Sequence, residues 1–127
     1  MTKKKNTILV VEDETALNEA YQLILKQAGY DVHVAYDGTD ALKVTKDVEP
    51  DLILLDLRMP HLDGVGFLRK YDLDKHTGVK VIIFSNYDMQ KEIDEAYQLG
   101  AHRYILKTWA SPKELLQVVE STLKNND

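Results

Sequence analysis

The sequence predicts an α/β fold, one domain in which five βα units build a doubly wound parallel sheet. Short apolar runs alternate with segments of helical period, which is the pattern of successive βα units. The chain has 127 residues, a length that suits a single domain with a core of its own. Its 44% hydrophobic and 29% charged residues are ordinary for a globular protein and do not favour a disordered or fibrous class.

Five apolar runs are the predicted strands, over residues 8–11, 32–36, 52–55, 79–84 and 104–106. The first, third and fourth runs are almost wholly apolar, as expected of parallel strands that helices cover on both faces. The second run differs, because its larger apolar side chains alternate with His33 and Ala35. We therefore expect the second strand at an edge of the sheet.

Three helices are marked by apolar residues spaced three and four apart. The first ends before Gly29 and the second before Gly100, since glycine suits the position just past a helix C-terminus. The last begins with Ser111 as N-cap and Pro112 as first helical residue. The apolar stripes are Leu17, Ala20, Tyr21, Ile24 and Ala28 in the first, Met89, Ile93, Ala96 and Tyr97 in the second, and Leu115, Val118, Val119 and Leu123 in the last.

Two further helices are predicted over residues 41–48 and 65–71, mainly because parallel strands need crossover connections. No internal linker, low-complexity tract or repeat interrupts the pattern.

Charge and composition exclude several classes of function. The net charge of −5 opposes a phosphate backbone, and we expect the single basic run, residues 3–5, to be solvated, so this chain alone should not bind nucleic acid directly. There is no cysteine, which excludes disulfides and thiolate metal sites and is compatible with a reducing compartment. The run at residues 8–11 is too short for a signal peptide or membrane span, so we expect a soluble, cytoplasmic protein without membrane partners.

Polar residues follow four of the predicted strands: Glu12, Asp13 and Glu14 the first, Asp56 the third, Ser85 the fourth and Lys107 the fifth. In parallel α/β sheets the ligand crevice lies beyond the carboxyl ends of the strands, so these groups should meet at one rim. Crowded carboxylates raise one another's pKa, a conflict that a divalent cation removes, and hard oxygen ligands favour Mg²⁺. A carboxylate nucleophile, a cation and a positioned lysine are the parts that phosphoryl transfer requires.

Four motifs add a family resemblance: Val-Val-Glu-Asp at residues 10–13, Leu-Leu-Asp-Leu-Arg-Met-Pro at 54–60 with Asp63-Gly64 following, Ser85, and Tyr-Ile-Leu-Lys at 104–107. Each fragment alone is weak, but their order on a fivefold βα repeat is specific. On these motifs the chain resembles the receiver domain of bacterial two-component response regulators over essentially its whole length. The resemblance implies one receiver domain over residues 1–127, with flexible ends at 1–6 and 125–127, and a flavodoxin-like sheet with strand order 2-1-3-4-5.

The resemblance also implies the roles of individual residues. Asp56 is implied as the phosphoacceptor, and Ser85 and Lys107 as contacts to the phosphoryl oxygens. The implied ligands of Mg²⁺ are Glu12, Asp13, Asp56 and the backbone carbonyl of Arg58. Pro60 is interpreted as a turn residue after the acceptor strand and Gly64 as a flexible residue before the third helix.

Ser85 and Tyr104 are implied as the switch pair, whose movement would remodel the surface of the fourth helix, fifth strand and fifth helix. The implied partners are a sensor histidine kinase or phosphotransfer protein and a downstream protein or effector domain, with a possible homodimer on activation. Tyr87, Tyr97 and Trp109 are candidate partner contacts, although for Tyr97 we favour ordinary packing on the helical stripe.

Two residues depart from the family pattern. Thr108 stands where the family commonly has a proline after a cis bond, so we predict either a trans bond and a shifted loop or a strained cis bond. Asn86 stands where the family usually has a small residue, so we predict slower phosphoryl acceptance or hydrolysis than with alanine there.

Other functions remain as alternatives. One is a binding module that keeps the fold and signals without phosphate. Another is an aspartyl-phosphate hydrolase, which is disfavoured because Arg58 stands where such enzymes place a second aspartate. A flavodoxin-like cofactor site conflicts with Glu-Asp-Glu after the first strand, no P-loop is present, and four scattered histidines (33, 61, 76 and 102) do not predict zinc. The chain can be a stand-alone receiver or part of a longer regulator, and in either case we expect a signalling phosphoacceptor rather than an enzyme.

Overall fold

The computed structural model describes residues 5–86, 88–107 and 111–124. Strands and helices alternate along this part of the chain, as the sequence predicts. The strands are β1 (Thr7–Val11), β2 (Asp31–Ala35), β3 (Leu52–Asp56), β4 (Lys80–Ser85) and β5 (Arg103–Leu106). The helices are α1 (Thr15–Gln27), α2 (Gly38–Asp47), α3 (Gly64–Tyr71), α4 (Gln90–Gln98) and α5 (Pro112–Lys124), with a 3₁₀ turn at Leu73–Lys75.

The five strands form one parallel sheet in the order β2-β1-β3-β4-β5, which confirms the predicted fold class and strand order. Every residue of β3 is buried, because this central strand lies between β1 and β4 under helices on both faces. The edge position of β2 is also confirmed. Its alternating pattern is a poor guide to burial, however, because Ala35 is fully buried while Tyr36 lies beyond the strand and is exposed.

Alternate strand residues feed two apolar cores, one on each face of the sheet. Leu9 and Val11 of β1 pack into the core under α2, α3 and α4, whereas Ile8 and Val10 pack into the core under α1 and α5. The last residues of β3 and β4, Asp56 and Ser85, are polar and lie at one rim of the sheet. The sheet is therefore a rigid platform for whatever lies at that rim.

Aspartate caps explain why two helices begin earlier than their apolar pattern predicts. Asp37 accepts a hydrogen bond from the Asp40 amide at 2.8 Å, so α2 begins at Gly38 rather than residue 41. Asp63 accepts one from the Gly66 amide at 2.8 Å, so α3 begins at Gly64.

Three predicted helix ends are confirmed. Gly29 and Gly100 adopt positive φ angles of 96° and 108° just past α1 and α4. Ser111 accepts a 3.2 Å hydrogen bond from the Glu114 amide at the start of α5, as expected of an N-cap.

Some sequence predictions fall outside the described residues. These concern Tyr87, Thr108, Trp109 and, among the predicted flexible ends, residues 1–4 and 125–127. In the part of the chain that the structure describes, no helix has the length and apolar character needed to cross a bilayer.

Candidate functional site

The carboxyl ends of four strands bring the predicted polar residues to one rim of the sheet. Asp56 is the last residue of β3 and Ser85 the last residue of β4, while Glu12 directly follows β1. Lys107 follows β5, and its amide donates a 3.0 Å hydrogen bond to the Ser85 carbonyl oxygen, which fixes the chain where the lysine side chain departs. Parallel strands thus place residues that lie far apart in the sequence side by side.

Three carboxylates form an acidic cluster at this rim. Glu12, Asp13 and Asp56 each offer one oxygen, and these oxygens all lie within 4.8 Å of one another. Glu12 and Asp56 are buried, whereas Asp13 is exposed and leaves the cluster open to solvent. Hard oxygen donors without sulfur or imidazole suit a divalent cation such as Mg²⁺, which would supply positive charge to the cluster. The cluster is therefore chemically able to hold the predicted metal.

The ammonium group of Lys107 lies between two of these carboxylates. Its Nζ is 2.7 Å from Oε1 of Glu12 and 3.0 Å from Oδ2 of Asp56. The Glu12 and Asp56 side chains are only 2% and 6% exposed, and that of Lys107 is 18% exposed. These are largely dehydrated ion pairs, in which loss of one partner strands the other charge.

Burial dominates the ionisation of the two buried acids. It raises the pKa of Glu12 to about 7, although the hydrogen bond from Lys107 opposes the shift. Burial likewise raises the pKa of Asp56, against the charge of Lys107. For Lys107 itself, burial lowers the pKa, but the hydrogen bond to Glu12 and the charge of Asp56 outweigh it and raise the pKa overall. The site holds more negative charge than one ammonium group can balance, which favours a further cation.

Asn18 holds the Glu12 segment in place, and the sequence reasoning missed it. Its fully buried amide nitrogen donates to the Glu12 carbonyl at 2.9 Å and to the Ala35 carbonyl at 3.2 Å. It therefore ties the end of β1 to the end of β2. A signal was present, because Asn18 lies three and seven residues before Tyr21 and Leu25 on the buried face of α1.

Ser85 is fully buried at the end of β4, which pairs with β3. Among the buried side-chain polar atoms of the described residues, its Oγ alone has no hydrogen-bond partner. A buried hydroxyl without a partner lowers stability by roughly 1–3 kcal/mol, so a hydrogen-bond acceptor that binds at the rim would relieve this cost.

Arg58 and Gly64 shape the loop after β3. The Arg58 amide makes a long hydrogen bond of 3.4 Å to Oδ1 of Asp56, so this loop directly contacts the Asp56 carboxylate. A Cβ on Gly64 would lie 2.5 Å from the Asp56 carbonyl oxygen, so Gly64 is needed for close packing behind Asp56. The interpretation of Gly64 as a flexible residue is therefore incomplete.

Tyr104 points outward on β5 and is 47% exposed. Its ring meets that of Tyr97 edge to face, with centroids 6.3 Å apart and an interplanar angle of 86°. Tyr97 is itself 40% exposed, so it is less completely packed than its place on the apolar stripe predicts, and its assignment as a packing residue rather than a partner contact stays a prediction. It lies at the margin of the buried stripe of α4, where Ile93 and Ala96 are buried.

Comparison with known proteins gives the same picture. The family described as response regulator receiver domain matches residues 8–120. The DNA-binding response regulator MtrA of Mycobacterium tuberculosis is 34% identical over 127 residues, covering 100% of this chain and 54% of the relative. The probable transcriptional regulator ycf27 of Porphyridium aerugineum is 37% identical over 124 residues, covering 98% and 50%. The chain thus spans about half the length of these curated relatives, and the DNA-binding description belongs to those longer proteins.

Solved structures agree in fold and in size. A CheY-like response regulator receiver domain protein from Methanospirillum hungatei superposes with a TM-score of 0.88 at 28% identity, covering 94% of each chain. The receiver domain of the Francisella response regulator 1452 superposes with a TM-score of 0.84 at 28% identity, covering 97% of this chain and 100% of that one. The family match, the sheet order and the composition of the rim lead to one conclusion: the chain belongs to the response regulator receiver domain family of two-component signalling.

Proposed function

We propose that Asp56 of this receiver domain accepts a phosphoryl group in a Mg²⁺-dependent reaction, and that the modification changes the α4–β5–α5 surface to control a protein partner. The observation that supports this most strongly is the convergence of Glu12, Asp13, Asp56 and Lys107 at one end of the sheet. Acids, a cation site and an ammonium group together are the components of phosphoryl transfer.

The proposed metal ligands are Glu12, Asp13, Asp56 and the backbone carbonyl of Arg58. When bound there, Mg²⁺ would neutralise the acidic cluster and attract phosphoryl oxygens to it. The raised pKa of buried Glu12 supports this assignment, because a carboxylate that is costly to ionise alone benefits from a cation.

The proposed transfer needs only groups at the rim. A carboxylate oxygen of Asp56 forms a new bond to phosphorus while the bond from phosphorus to the donor's imidazole nitrogen breaks, and the donor keeps the electron pair. Lys107, 3.0 Å from an Asp56 oxygen, is positioned to pair with a phosphoryl oxygen. Ser85 would donate its unpartnered hydroxyl to another.

The proposed switch connects Ser85 to Tyr104. As Ser85 moves toward the phosphoryl group, Tyr104 would leave its exposed position and turn inward beside β4. This movement would change the surface that α4, β5 and α5 share, so the partner would sense a packing change rather than the phosphate itself.

The proposed donor is a sensor histidine kinase or a phosphotransfer protein, and the proposed site of action is the cytoplasm. The names of the relatives support a downstream role in transcription, in which an effector segment rather than the receiver contacts DNA. Homodimerisation on activation, and removal of the phosphoryl group by the domain itself, are further parts of the proposal.

Intact mass measurement tests the proposal. We expect the parent protein, incubated with a small phosphodonor and Mg²⁺, to gain the mass of one phosphoryl group. Asp56→Asn should gain none, and Asp13→Asn should be labelled more slowly because it loses an exposed acid of the cluster. Equal labelling of the parent and Asp56→Asn would reject Asp56 as the acceptor.

A further inference from the structure

Two arginines tether helix α4 to the rest of the domain through the same type of ion pair. Arg58, in the loop after β3, donates from Nε and Nη2 to one oxygen of Glu92 at 3.2 and 3.1 Å. Arg69, in α3, donates from Nη2 to Glu95 at 2.8 Å. Glu92 and Glu95 are three residues apart and share one side of α4.

The two tethers differ in what lies at their other end. Arg69 belongs to the body of α3, whereas the Arg58 amide directly contacts Oδ1 of Asp56 at 3.4 Å. Arg58 also lies near a second acid before α4, with Nη1 3.9 Å from Oδ2 of Asp88. The acceptor loop therefore carries an exposed guanidinium that is engaged by α4 in the unmodified protein.

The geometry points to Glu92 as a positioning residue that competes with the phosphoryl group for Arg58. This inference rests on the function proposed above. A phosphoryl group adds about −1.5 to −2 charges beside this loop, and arginine binds phosphate oxygens in a bidentate manner. Modification of Asp56 draws Arg58 away from Glu92 and releases that end of α4. This path from the acceptor to α4 is separate from the one through Ser85 and Tyr104.

The size of the effect is limited by solvent. The Arg58 and Glu92 side chains are 57% and 30% exposed, so their attraction is that of a surface pair. Such a pair accounts for about a two- to five-fold change in an equilibrium constant. Linkage is reciprocal, so a weaker tether must raise the affinity of the site for an anion by the same factor.

The Arg69–Glu95 pair is a matched control, because its side chains are 58% and 31% exposed and it tethers the same helix. We would titrate the intact domain with beryllofluoride, a phosphoryl mimic, at saturating Mg²⁺ and fixed pH. The variants are Glu92→Gln, Arg58→Gln, both together, and Glu95→Gln. Urea unfolding of each variant measures stability separately.

We expect Glu92→Gln to bind the mimic about two- to five-fold more tightly and Arg58→Gln to bind it more weakly by a similar factor. The affinity of the double variant for the mimic should match that of Arg58→Gln, because Glu92 can no longer hold Arg58 away from the mimic. Glu95→Gln should lower stability as much as Glu92→Gln does and leave affinity unchanged.

Three results would overturn the inference while the parent still binds the mimic through Asp56: no effect of Glu92→Gln, the same effect of Glu95→Gln, or a Glu92→Gln effect that persists without Arg58. The last two would mean that charge alone acts through space. If the parent binds no better than Asp56→Asn, the proposed function fails, and the inference fails with it.

Discussion

Replacement of Lys107 by methionine should destabilise the domain in a way that depends on pH. The substitution keeps an apolar chain of similar length and removes the ammonium group that lies 2.7 Å from Glu12 and 3.0 Å from Asp56. Breaking a buried pair by removing one partner costs about 3–5 kcal/mol. Since Lys107 is 18% exposed, we expect the lower end, about 3 kcal/mol at pH 8.

Protonation of Glu12 limits this cost at lower pH. A carboxyl group with a raised pKa binds more protons in the folded than in the unfolded state, so its contribution to stability falls as pH rises from 4.5 toward the folded value of about 7. Without the hydrogen bond from Lys107 the pKa of Glu12 rises further, so the stability of the variant continues to fall above pH 7. Each pH unit over which only the variant continues to lose stability is worth about 1.4 kcal/mol. The stability lost by Lys107→Met should therefore be about 1.4 kcal/mol smaller at pH 6 than at pH 8.

Urea unfolding at pH 6 and pH 8 measures both values. The control is Lys124→Met, which breaks an exposed pair with Glu120 of similar length, 2.8 Å, and should have a much smaller effect without pH dependence. Addition of Mg²⁺ at pH 8 should restore part of the stability of Lys107→Met, because the cation replaces the lost positive charge. Equal costs of Lys107→Met at the two pH values, or a cost no larger than that of Lys124→Met, would refute the reasoning.

Four further changes test other contacts. Ser85→Ala removes a buried hydroxyl without a partner, so stability should rise, by about 1–3 kcal/mol, while beryllofluoride affinity falls roughly ten-fold; unchanged affinity would contradict its donor role. Tyr97→Leu removes an edge contact with Tyr104 worth about 0.5–1.5 kcal/mol. Under the proposed switch this contact favours the outward position of Tyr104, so affinity for the mimic should rise about two- to ten-fold. Tyr36→Leu, at another exposed tyrosine, should have no effect. Burial and Lys80 lower the pKa of His102, whose Nδ1 accepts a hydrogen bond from the Val81 amide at 3.0 Å. The contribution of neutral His102 to stability should therefore be lost as the pH falls below 6.5, the pKa of the unfolded state. His102→Asn should reduce the difference between the free energies of unfolding at pH 7.5 and pH 5.5, and an unchanged difference would argue against this role of His102. Asn86→Ala should speed phosphorylation or decay of the labelled protein, and identical rates would show that the exposed Asn86 side chain does not obstruct the site.

Much of the fold could be predicted because buried parallel strands admit few polar residues. The run around Leu54 is apolar throughout, and it became the fully buried central strand. The rim could be predicted for a related reason, since a polar residue at the end of such a run, such as Asp56, has to lie at the carboxyl end of the sheet. Helix starts were less accessible, because they depend on the side-chain caps of Asp37 and Asp63 rather than on apolar spacing.

Specific contacts between side chains that lie far apart in the chain could not be predicted from the sequence. Lys107 pairs with Glu12 across 95 positions of the chain, and the pairing depends on where two side chains meet in three dimensions. The role of Gly64 in close packing was hidden in the same way, because a glycine before a helix fits both flexibility and lack of space. The tether between Arg58 and Glu92 joins an exposed loop residue to a helix residue 34 positions away, and no periodicity in the sequence marks such a contact.

The chemical identity of the modified residue tests the central claim most directly. After phosphorylation with Mg²⁺ present, borohydride reduction converts an aspartyl phosphate to homoserine, which peptide mass spectrometry then locates. We predict homoserine in the peptide that contains Asp56, and none when Mg²⁺ is omitted or when Asp56→Asn is used. A phosphoryl group on any other residue, or an unlabelled Asp56 in the complete reaction, would contradict the account of this acidic rim as a phosphoryl-accepting site.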